Sequence, residues 1–311
     1  MAFISVENLT TRYNTSNGLV HALEDVNFAI EKGESIGIAG ESACGKSTLG
    51  LSIIRMISNG KIYSGKIQFD GKSLLDIPDT DFDKNIRWKE ISMVFQGAMN
   101  SLDPVFSIKQ QFEEVLKQHD FQGDMKKIIL DSLTSVNLDE SVLKKFPHEL
   151  SGGMKQRVII AMALILKPKF IIADEPTTAL DVLIQAQIVS LFKQLKKTGQ
   201  SFMIISHDLA VLSEIVEKIG IMYGGRMVEF GDTSEIFLDP KHPYTKGLLE
   251  SIPVLSKDEK PKYISGVPPN LVNPDEGCMF YDRCPEAMDK CKKDPPKIKT
   301  NTGYVLCWLY E

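Results

Sequence analysis

Short apolar segments alternate with segments of helical periodicity along much of the chain. Residues 35–39, 170–173 and 202–205 are apolar runs of strand length, and helical spacing follows the first two over about residues 46–57 and 180–195. Because strand, helix and strand form the repeating unit of α/β proteins, this alternation predicts a largely parallel sheet with helices on both faces.

The N-terminal region has a different pattern. Apolar strands at residues 3–6 and 26–30 flank a polar hairpin around residues 14–17, and a further strand covers residues 66–70. Neighbouring strands joined by a short hairpin run in opposite directions. We therefore expect an antiparallel β subdomain in addition to the parallel sheet.

A helical segment interrupts the alternation after a strand at residues 91–96. Between residues 107 and 145, apolar residues recur at helical spacing without a convincing strand, and a long helix follows at residues 151–166. The pattern predicts a helical subdomain, at about residues 97–155, inserted into the α/β core.

Proline density changes after Gly231. Ten of the fifteen prolines lie in the last quarter of the chain, where long regular elements cannot run through them. We predict a first domain at residues 1–235 and a loop-rich C-terminal extension at residues 236–311.

Composition and charge narrow the class of protein. The chain has 311 residues, 43% hydrophobic and 25% charged, which is ordinary for a globular protein. Its net charge of −5 gives no basic footprint, so we expect no nucleic-acid partner. No apolar run approaches the roughly 20 residues of a membrane-spanning helix, and the N-terminus lacks the pattern of a signal peptide. We expect a cytoplasmic protein.

A phosphate-binding loop supplies the first chemistry. The segment after the strand at residues 35–39 matches G-x-x-x-x-G-K-[ST] in full. We expect its amides to point at the β- and γ-phosphates, Lys46 to place a positive charge on them and Ser47 to ligate Mg²⁺. The alternative, a glycine-rich turn that binds nothing, is disfavoured because the motif stands between a strand and a helix. The candidate nucleotide-binding residues are Gly40, Ser42, Ala43, Cys44, Gly45, Lys46, Ser47 and Thr48.

The five cysteines are distributed unevenly. Cys44 fills a variable position of the phosphate loop, where it is interpreted as a neutral residue, with a redox switch as the alternative. In a reducing compartment, clustered cysteines indicate a metal site before they indicate disulfides. The other four crowd the last 34 residues: Cys278, Cys284, Cys291 and Cys307.

Polar residues follow buried strands downstream of the loop. Asp174 and Glu175 end the strand at residues 170–173, and ligands bind at this edge of such sheets. We expect Asp174 to hold Mg²⁺ and Glu175 to polarise the attacking water as a general base. Gln96 is a candidate contact of Mg²⁺ or the water, and His207 of the γ-phosphate. Taken singly, such residues are common at ordinary strand ends.

An eight-residue motif downstream of the loop carries a family resemblance. Leu150-Ser151-Gly152-Gly153-Met154-Lys155-Gln156-Arg157 matches the signature motif of ATP-binding-cassette (ABC) transporters. With the loop and the strand-end residues in the same order, residues 3–235 resemble the ATP-binding subunit of that family. The resemblance implies an α/β phosphate-loop (RecA-like) nucleoside triphosphatase core.

The resemblance also implies roles for individual residues. Ser151 and Gly153 are expected to reach the γ-phosphate bound by an opposite subunit, with Gly152 and Gln156 in the same motif. Asp181, in Ala179-Leu180-Asp181, matches the loop that joins the two sites across the interface. Tyr13 is the candidate for the aromatic that stacks on adenine, and a packing role is its alternative. Lys46, Glu175 and His207 are the expected catalytic residues.

The C-terminal extension resembles that of importers of oligopeptides, dipeptides and nickel. The matching segments are residues 223–231, residues 242–249 and Gly277-Cys278-Met279-Phe280-Tyr281-Asp282-Arg283-Cys284-Pro285-Glu286-Ala287-Met288. Some members of that family hold a four-iron, four-sulfur cluster on these cysteines. The spacings lack the close cysteine pairs of zinc sites, and four thiolates suit an iron–sulfur cluster, so we expect such a cluster in a structural role. Zinc, free thiols and disulfides are the alternatives.

Together these resemblances imply an ABC importer ATPase that powers uptake of oligopeptides or dipeptides, with nickel or another small solute as the alternative. The implied cofactors are ATP, Mg²⁺ and the iron–sulfur cluster. The implied partners are a second, related ATPase subunit, two transmembrane permease subunits and a separate extracellular or periplasmic solute-binding protein. The implied location is the cytoplasmic face of the membrane.

Two other classes of protein compete with this interpretation. Soluble ABC ATPases of DNA repair or translation carry a long coiled-coil insertion or two cassettes on one chain, and this sequence has neither. A redox regulator that binds ATP only structurally would not need Glu175 and His207.

Overall fold

The computed structural model describes residues 2–252 and 263–311. The chain divides into two compact units, a first unit formed by Met1–Asp76 and Ile205–Glu311 and a second unit formed by Ile77–Ile204. The part of the proline-rich extension at residues 253–262, with Pro253 and Pro261, lies outside the described residues.

The strands and helices of the described residues follow in chain order. The strands are β1 (Ile4–Thr15), β2 (Gly18–Ile30), β3 (Ile36–Ala39), β4 (Gly60–Phe69), β5 (Lys72–Ser73), β6 (Ile91–Val94), β7 (Phe170–Asp174), β8 (Ser201–Ile205), β9 (Lys218–Tyr223), β10 (Arg226–Asp232), β11 (Lys297–Lys299) and β12 (Tyr304–Leu306). The helices are α1 (Lys46–Ile53), α2 (Asp79–Asn85), α3 (Ile108–Gln118), α4 (Met125–Ser135), α5 (Gly152–Leu164), α6 (Val182–Lys197), α7 (Leu209–Ile215), α8 (Thr233–Leu238) and α9 (Pro243–Glu250).

An antiparallel sheet of the first unit has the strand order β2-β1-β4-β5. The two short N-terminal strands predicted from the sequence are parts of longer strands, because β1 and β2 pair from Ile4 opposite Ile30 down to their turn. The polar stretch stays in the sheet because its side chains pair across the strands. Arg12 Nε donates to Glu24 Oε1 at 2.7 Å, and such cross-strand pairs stabilise a polar strand.

Five strands of a second, eight-stranded sheet lie in the first unit, in the order β11-β12-β10-β9-β3. β3 and β9 are parallel, whereas β9 and β10 form an antiparallel hairpin. The hairpin turns at Gly224 and Gly225, with φ of 55° and 78°, the conformation that a two-residue hairpin loop requires. The expected parallel sheet is therefore antiparallel on this side.

The second unit carries the strands β8-β7-β6 in that order, with β6 and β7 parallel. The predicted helical insertion forms α3 and α4. Helix α3 begins with a capping box: the Ser107 side chain accepts from the amide of Gln110, and the Gln110 side chain accepts from the amide of Ser107. Phe112 and Leu116 of α3 and Ile129 and Leu133 of α4 are buried as their spacing predicts, whereas Val115 and Ile128 are half-buried.

Helix α1 ends earlier than the sequence predicts, at Ile53 instead of about residue 57. Arg55 takes the left-handed conformation, with φ of 55°, and its guanidinium donates to the carbonyl oxygen of Leu74 at 3.2 Å. The helix therefore stops where this side chain turns toward the neighbouring loop.

The C-terminal extension has more structure than its prolines suggest. β12 pairs with β10, and Phe280 packs against the rings of Tyr223 and Tyr244 at 5.1 and 5.3 Å. The extension thus shares a sheet and an aromatic core with the rest of the first unit.

Candidate nucleotide-binding site

The phosphate loop leaves the buried strand β3 and ends at helix α1. Gly40 has φ of +148°, and a β-carbon there would lie 2.1 Å from the carbonyl oxygen of Met222. Gly45 has φ of +103°, and a β-carbon there would lie 2.3 Å from the carbonyl oxygen of Ala22. Both positions therefore require glycine by conformation and by space.

Lys46 lies inside the loop and is 7% exposed. Its ammonium donates to the carbonyl oxygens of Gly40 and Glu41, at 2.8 Å each. Helix α1 begins at this residue, so the backbone amides of the helix N-terminus and a positive side chain meet at one place, which is the arrangement that binds phosphate groups.

Cys44 is buried within the loop. Burial raises the pKa of its thiol, although the nearby Lys46 ammonium acts in the opposite direction. A thiol with a raised pKa is a poor nucleophile, so the geometry favours a neutral loop residue over a redox switch.

Two further candidates lie in the same unit as the loop. The Tyr13 hydroxyl donates to Thr48 Oγ1 at 3.4 Å, which places the half-buried ring beside the start of α1. His207 is exposed after β8, and the amide of the preceding Ser206 donates to the carbonyl of Ile38 in β3 at 3.0 Å. Tyr13 thus lies beside α1 and His207 follows a residue bonded to β3, and these are the two elements that the phosphate loop joins.

The predicted carboxylates and amide follow parallel strands of the second unit. Asp174 ends β7 and is 3% exposed, and Gln96 lies exposed in the turn after β6. Val94 of β6 stands opposite Ala173 of β7, so the two strands end at the same edge. Gln96 and Asp174 therefore lie at the ends of neighbouring strands.

Glu175 has a backbone conformation that is unusual for its type. Its φ is +50°, a left-handed value that costs a residue with a side chain roughly 1–3 kcal/mol. Its Oε2 accepts a hydrogen bond from Thr178 Oγ1 at 2.8 Å, which orients the carboxylate.

The signature motif forms the start of helix α5. Ser151 is exposed and caps the helix by accepting from the amide of Met154 at 3.3 Å. A β-carbon on Gly153 would lie 2.7 Å from Ile184 Cγ2, whereas one on Gly152 would have 3.6 Å of space. Gln156 is 5% exposed and lies within the packed part of the helix.

Asp181 begins the next helix. It caps α6 by accepting from the amide of Ile184 at 2.9 Å. The second unit thus presents two capped helix N-termini, at Ser151 and at Asp181, and such termini favour negative charge.

Several residues around the loop escape prediction from the sequence. The Glu41 amide donates to the Tyr244 hydroxyl at 2.9 Å, and both carboxylate oxygens of Glu41 accept from Arg283. More than 200 residues separate Glu41 from each of these partners in the chain. No local pattern could have indicated the contacts.

The expected iron–sulfur cluster is not supported by the structure. All four cysteines of the extension are described and free of disulfides, yet no three Cys, His, Asp or Glu side chains of the described residues are arranged to hold a metal ion. Burial raises the pKa of Cys278 to about 11 and also raises the pKa values of Cys284 and Cys307.

Across residues 2–252 and 263–311, no helix has the length and apolar character needed to cross a membrane.

Two protein-family models match the chain. Residues 23–178 match the family described as "ABC transporter", and residues 228–291 match "Oligopeptide/dipeptide transporter, C-terminal region". The first match covers the phosphate loop, the signature motif and the strand-end carboxylates. The second covers three of the four clustered cysteines.

Similar proteins span the whole chain. The chain is 42% identical to the dipeptide transport ATP-binding protein DppD of Bacillus subtilis, over 99% of this chain and 95% of that protein. It is 43% identical to the oligopeptide transport ATP-binding protein AppD of the same organism, over 99% of this chain and 97% of that protein.

Among solved structures, the chain is similar to the ATP-binding cassette MJ0796, determined as a dimer in a post-hydrolysis state with ADP and phosphate bound. The TM-score is 0.66 and the identity 30%, and the match covers 74% of this chain and 98% of that one. The expected phosphate-loop fold is confirmed.

Proposed function

Because this chain belongs to the ATP-binding proteins of ABC transporters, we propose that it hydrolyses ATP to drive the import of oligopeptides or dipeptides. The observation that carries the ATPase is the phosphate loop, with Lys46 enclosed by its carbonyls at the start of α1. The similarity of residues 228–291 to the C-terminal region of oligopeptide and dipeptide transporters supports the substrate class.

Residues of the first unit bind the nucleotide in this proposal. Lys46 exchanges its two carbonyl partners for β- and γ-phosphate oxygens, and the amides around it complete the phosphate contacts. Tyr13 stacks on adenine, and His207 contacts the γ-phosphate. This division of roles leaves the carboxylates of the second unit for catalysis.

The oxygen donors of Ser47, Gln96 and Asp174 suit Mg²⁺, which prefers hydroxyl, amide and carboxylate oxygens. When bound, Mg²⁺ neutralises charge on the phosphate oxygens. Ser47 of the loop, Gln96 after β6 and Asp174 at the end of β7 would hold it.

Glu175 is the general base in this account. Its carboxylate accepts a proton from water, the water oxygen forms a bond to the γ-phosphorus, and the bond to the β-phosphate oxygen breaks to leave ADP and phosphate. The hydrogen bond from Thr178 keeps the carboxylate oriented.

A second cassette completes each site. Ser151 and Gly153 contact the γ-phosphate held by the partner's loop, with the N-terminus of α5 directed at its charge, and Asp181 lies in the loop between the two sites. We expect the second cassette to be a related but different chain. Two permease subunits and a separate solute-binding protein complete the importer, and the cassettes bind its cytoplasmic face.

No step of this function uses the cysteines of the extension. Iron and acid-labile sulfide, measured in anaerobically purified protein, decide the question of the cluster. About four iron atoms and four sulfide ions per chain would show that the chain binds a four-iron, four-sulfur cluster.

Uptake of a radiolabelled dipeptide by cells that carry a single copy of the chain tests the proposal. Lys46→Ala should reduce uptake to the level of cells without the chain, whereas Lys32→Ala, which removes an exposed lysine outside the loop, should leave uptake unchanged. Normal uptake of both dipeptide and nickel with Lys46→Ala would refute the ATPase role. Loss of nickel uptake with normal dipeptide uptake would refute the substrate class.

A further inference from the structure

The phosphate loop is held from outside at its second residue, Glu41. Its amide donates to the Tyr244 hydroxyl at 2.9 Å, and its carbonyl accepts from Lys46 Nζ at 2.8 Å. Its carboxylate accepts from Arg283 through both oxygens, at 2.7 and 2.9 Å. Every polar group of this loop residue is thus engaged, and two of its partners lie in the C-terminal part of the chain.

The guanidinium of Arg283 is fully hydrogen-bonded. A guanidinium has five N–H donors, and here each finds an acceptor. Besides the two bonds to Glu41, Nη1 donates to the Tyr223 hydroxyl at 3.1 Å, Nε to the Ser265 carbonyl at 2.9 Å and Nη2 to the Ile264 carbonyl at 3.3 Å. The Arg283 side chain is 6% exposed. This pair is therefore unlike a loose surface ion pair, which contributes little.

Aromatic rings support this guanidinium. The guanidinium carbon lies 5.6 Å from the ring centre of Tyr223 and 5.9 Å from that of Phe280. The rings of Tyr223, Tyr244 and Phe280 pack against one another at 4.5 to 5.3 Å. The side chains that hold Glu41 are thus themselves held by packing, which is what a positioning group requires.

We propose that Arg283 of the C-terminal extension is a positioning residue for ATP binding, acting through Glu41 to hold the phosphate loop in its binding conformation. The inference rests on the proposed function, since it concerns the same loop. A loop that is already ordered binds phosphate without the free-energy cost of ordering it. Without the pair, that cost falls on ATP binding, whereas the hydrolytic step depends on Glu175 and is unaffected.

The test measures binding of a non-hydrolysable ATP analogue with Mg²⁺ to the purified full chain by equilibrium dialysis. Arg283→Gln and Glu41→Gln should each raise Kd about tenfold, equivalent to about 1.4 kcal/mol. The double variant should be no weaker than the weaker single variant, because both substitutions remove the same interaction. Arg283→Lys keeps the charge without the two-pronged geometry and should recover only part of the affinity.

A matched control separates positioning from general support of the fold. Arg226→Gln also removes an ion pair in the first unit, since Arg226 bonds Asp294 at 3.1 Å, but Arg226 makes no bond to the phosphate loop among the described contacts. It should leave Kd within about twofold of wild type. In ATPase assays of the assembled transporter, Arg283→Gln should raise KM for ATP about tenfold with kcat within twofold.

An unchanged Kd in Arg283→Gln, or an equal rise in Arg226→Gln, would overturn the inference. If Arg283→Gln does not fold, Glu41→Gln decides, because it is isosteric and Glu41 is partly exposed, and unchanged affinity in it overturns the inference equally. Wild-type chain that binds no nucleotide would refute the proposed function instead. If the wild-type chain binds the analogue and the Arg283 and Glu41 variants bind it with the same Kd, this inference alone is refuted.

Discussion

Acid sensitivity of the first unit should come from one buried histidine, His242. It caps helix α9, where its Nδ1 accepts from the Tyr244 amide at 3.1 Å, and the residue is 1% exposed. Its own amide donates to Glu229 Oε2 at 3.0 Å. Burial lowers the pKa of His242 to about 3, and the charge of Lys246 acts in the same direction.

The magnitude follows from proton linkage. In the unfolded chain the histidine takes up a proton near pH 6.5, whereas the folded chain resists protonation until about pH 3. Between these values the unfolded state binds more protons, so stability falls as pH falls, by about 1.4 kcal/mol per pH unit. At pH 5 the loss amounts to roughly 2 kcal/mol.

Glu229 titrates in the opposite sense. Burial raises its pKa, so its contribution to stability is complete below the unfolded value and is lost as pH rises through the folded value. A comparison of two proteins that both retain Glu229 removes this contribution from the result.

His242→Asn supplies that comparison, because asparagine keeps an acceptor for the helix cap and does not titrate. Urea unfolding of the first unit can be followed by the fluorescence of Trp308 in a Trp88→Phe background, since Trp88 lies in the second unit. Between pH 7.5 and pH 5, the protein with His242 should lose roughly 2 kcal/mol more stability than the variant. Equal losses in the two proteins would refute the reasoning, because they would mean that the histidine charges freely in the folded state.

The remaining predictions concern nucleotide binding and hydrolysis. Gly45→Ala should abolish ATP binding in equilibrium dialysis, because its β-carbon would lie 2.3 Å from a backbone oxygen, whereas Gly33→Ala, with positive φ but open space, should cost only about 1 kcal/mol of stability in thermal unfolding. In the assembled transporter, Gly153→Ala should lower the ATPase rate far more than Gly152→Ala, which has 3.6 Å of space, and similar rates would contradict the packing argument. Tyr13→Ala should raise the Kd for ATP roughly tenfold, while Tyr13→Phe should keep a Kd near that of wild type. A Kd for Tyr13→Ala equal to that of wild type would refute the stacking role.

Elements with a local cause could be predicted from the sequence. The apolar runs gave β3, β7 and β8 within a residue or two, and the phosphate-loop motif placed the start of α1 correctly. The first strand was predicted too short, because its polar second half was not expected in the sheet. Cross-strand pairing with Glu24 holds Arg12 there. Turn signals were present at Gly224-Gly225, where two glycines between apolar runs indicate the β9–β10 hairpin.

Contacts distant in the chain could not be predicted. Arg283 lies within the cysteine-rich segment at residues 277–288, and its bonds to Glu41 span 242 residues. The number and spacing of the cysteines indicated a metal cluster, but a sequence does not fix the distances between their side chains in the folded chain. The domain boundary near residue 235 stays a prediction.

The central claim is that Glu175 activates the water that cleaves ATP. Phosphate release by the assembled transporter, measured with wild type and Glu175→Gln at saturating ATP, tests it most directly. We predict that the variant loses at least about a hundredfold in rate while its Kd for ATP stays within about twofold of wild type. A variant that hydrolyses ATP near the wild-type rate would contradict the account.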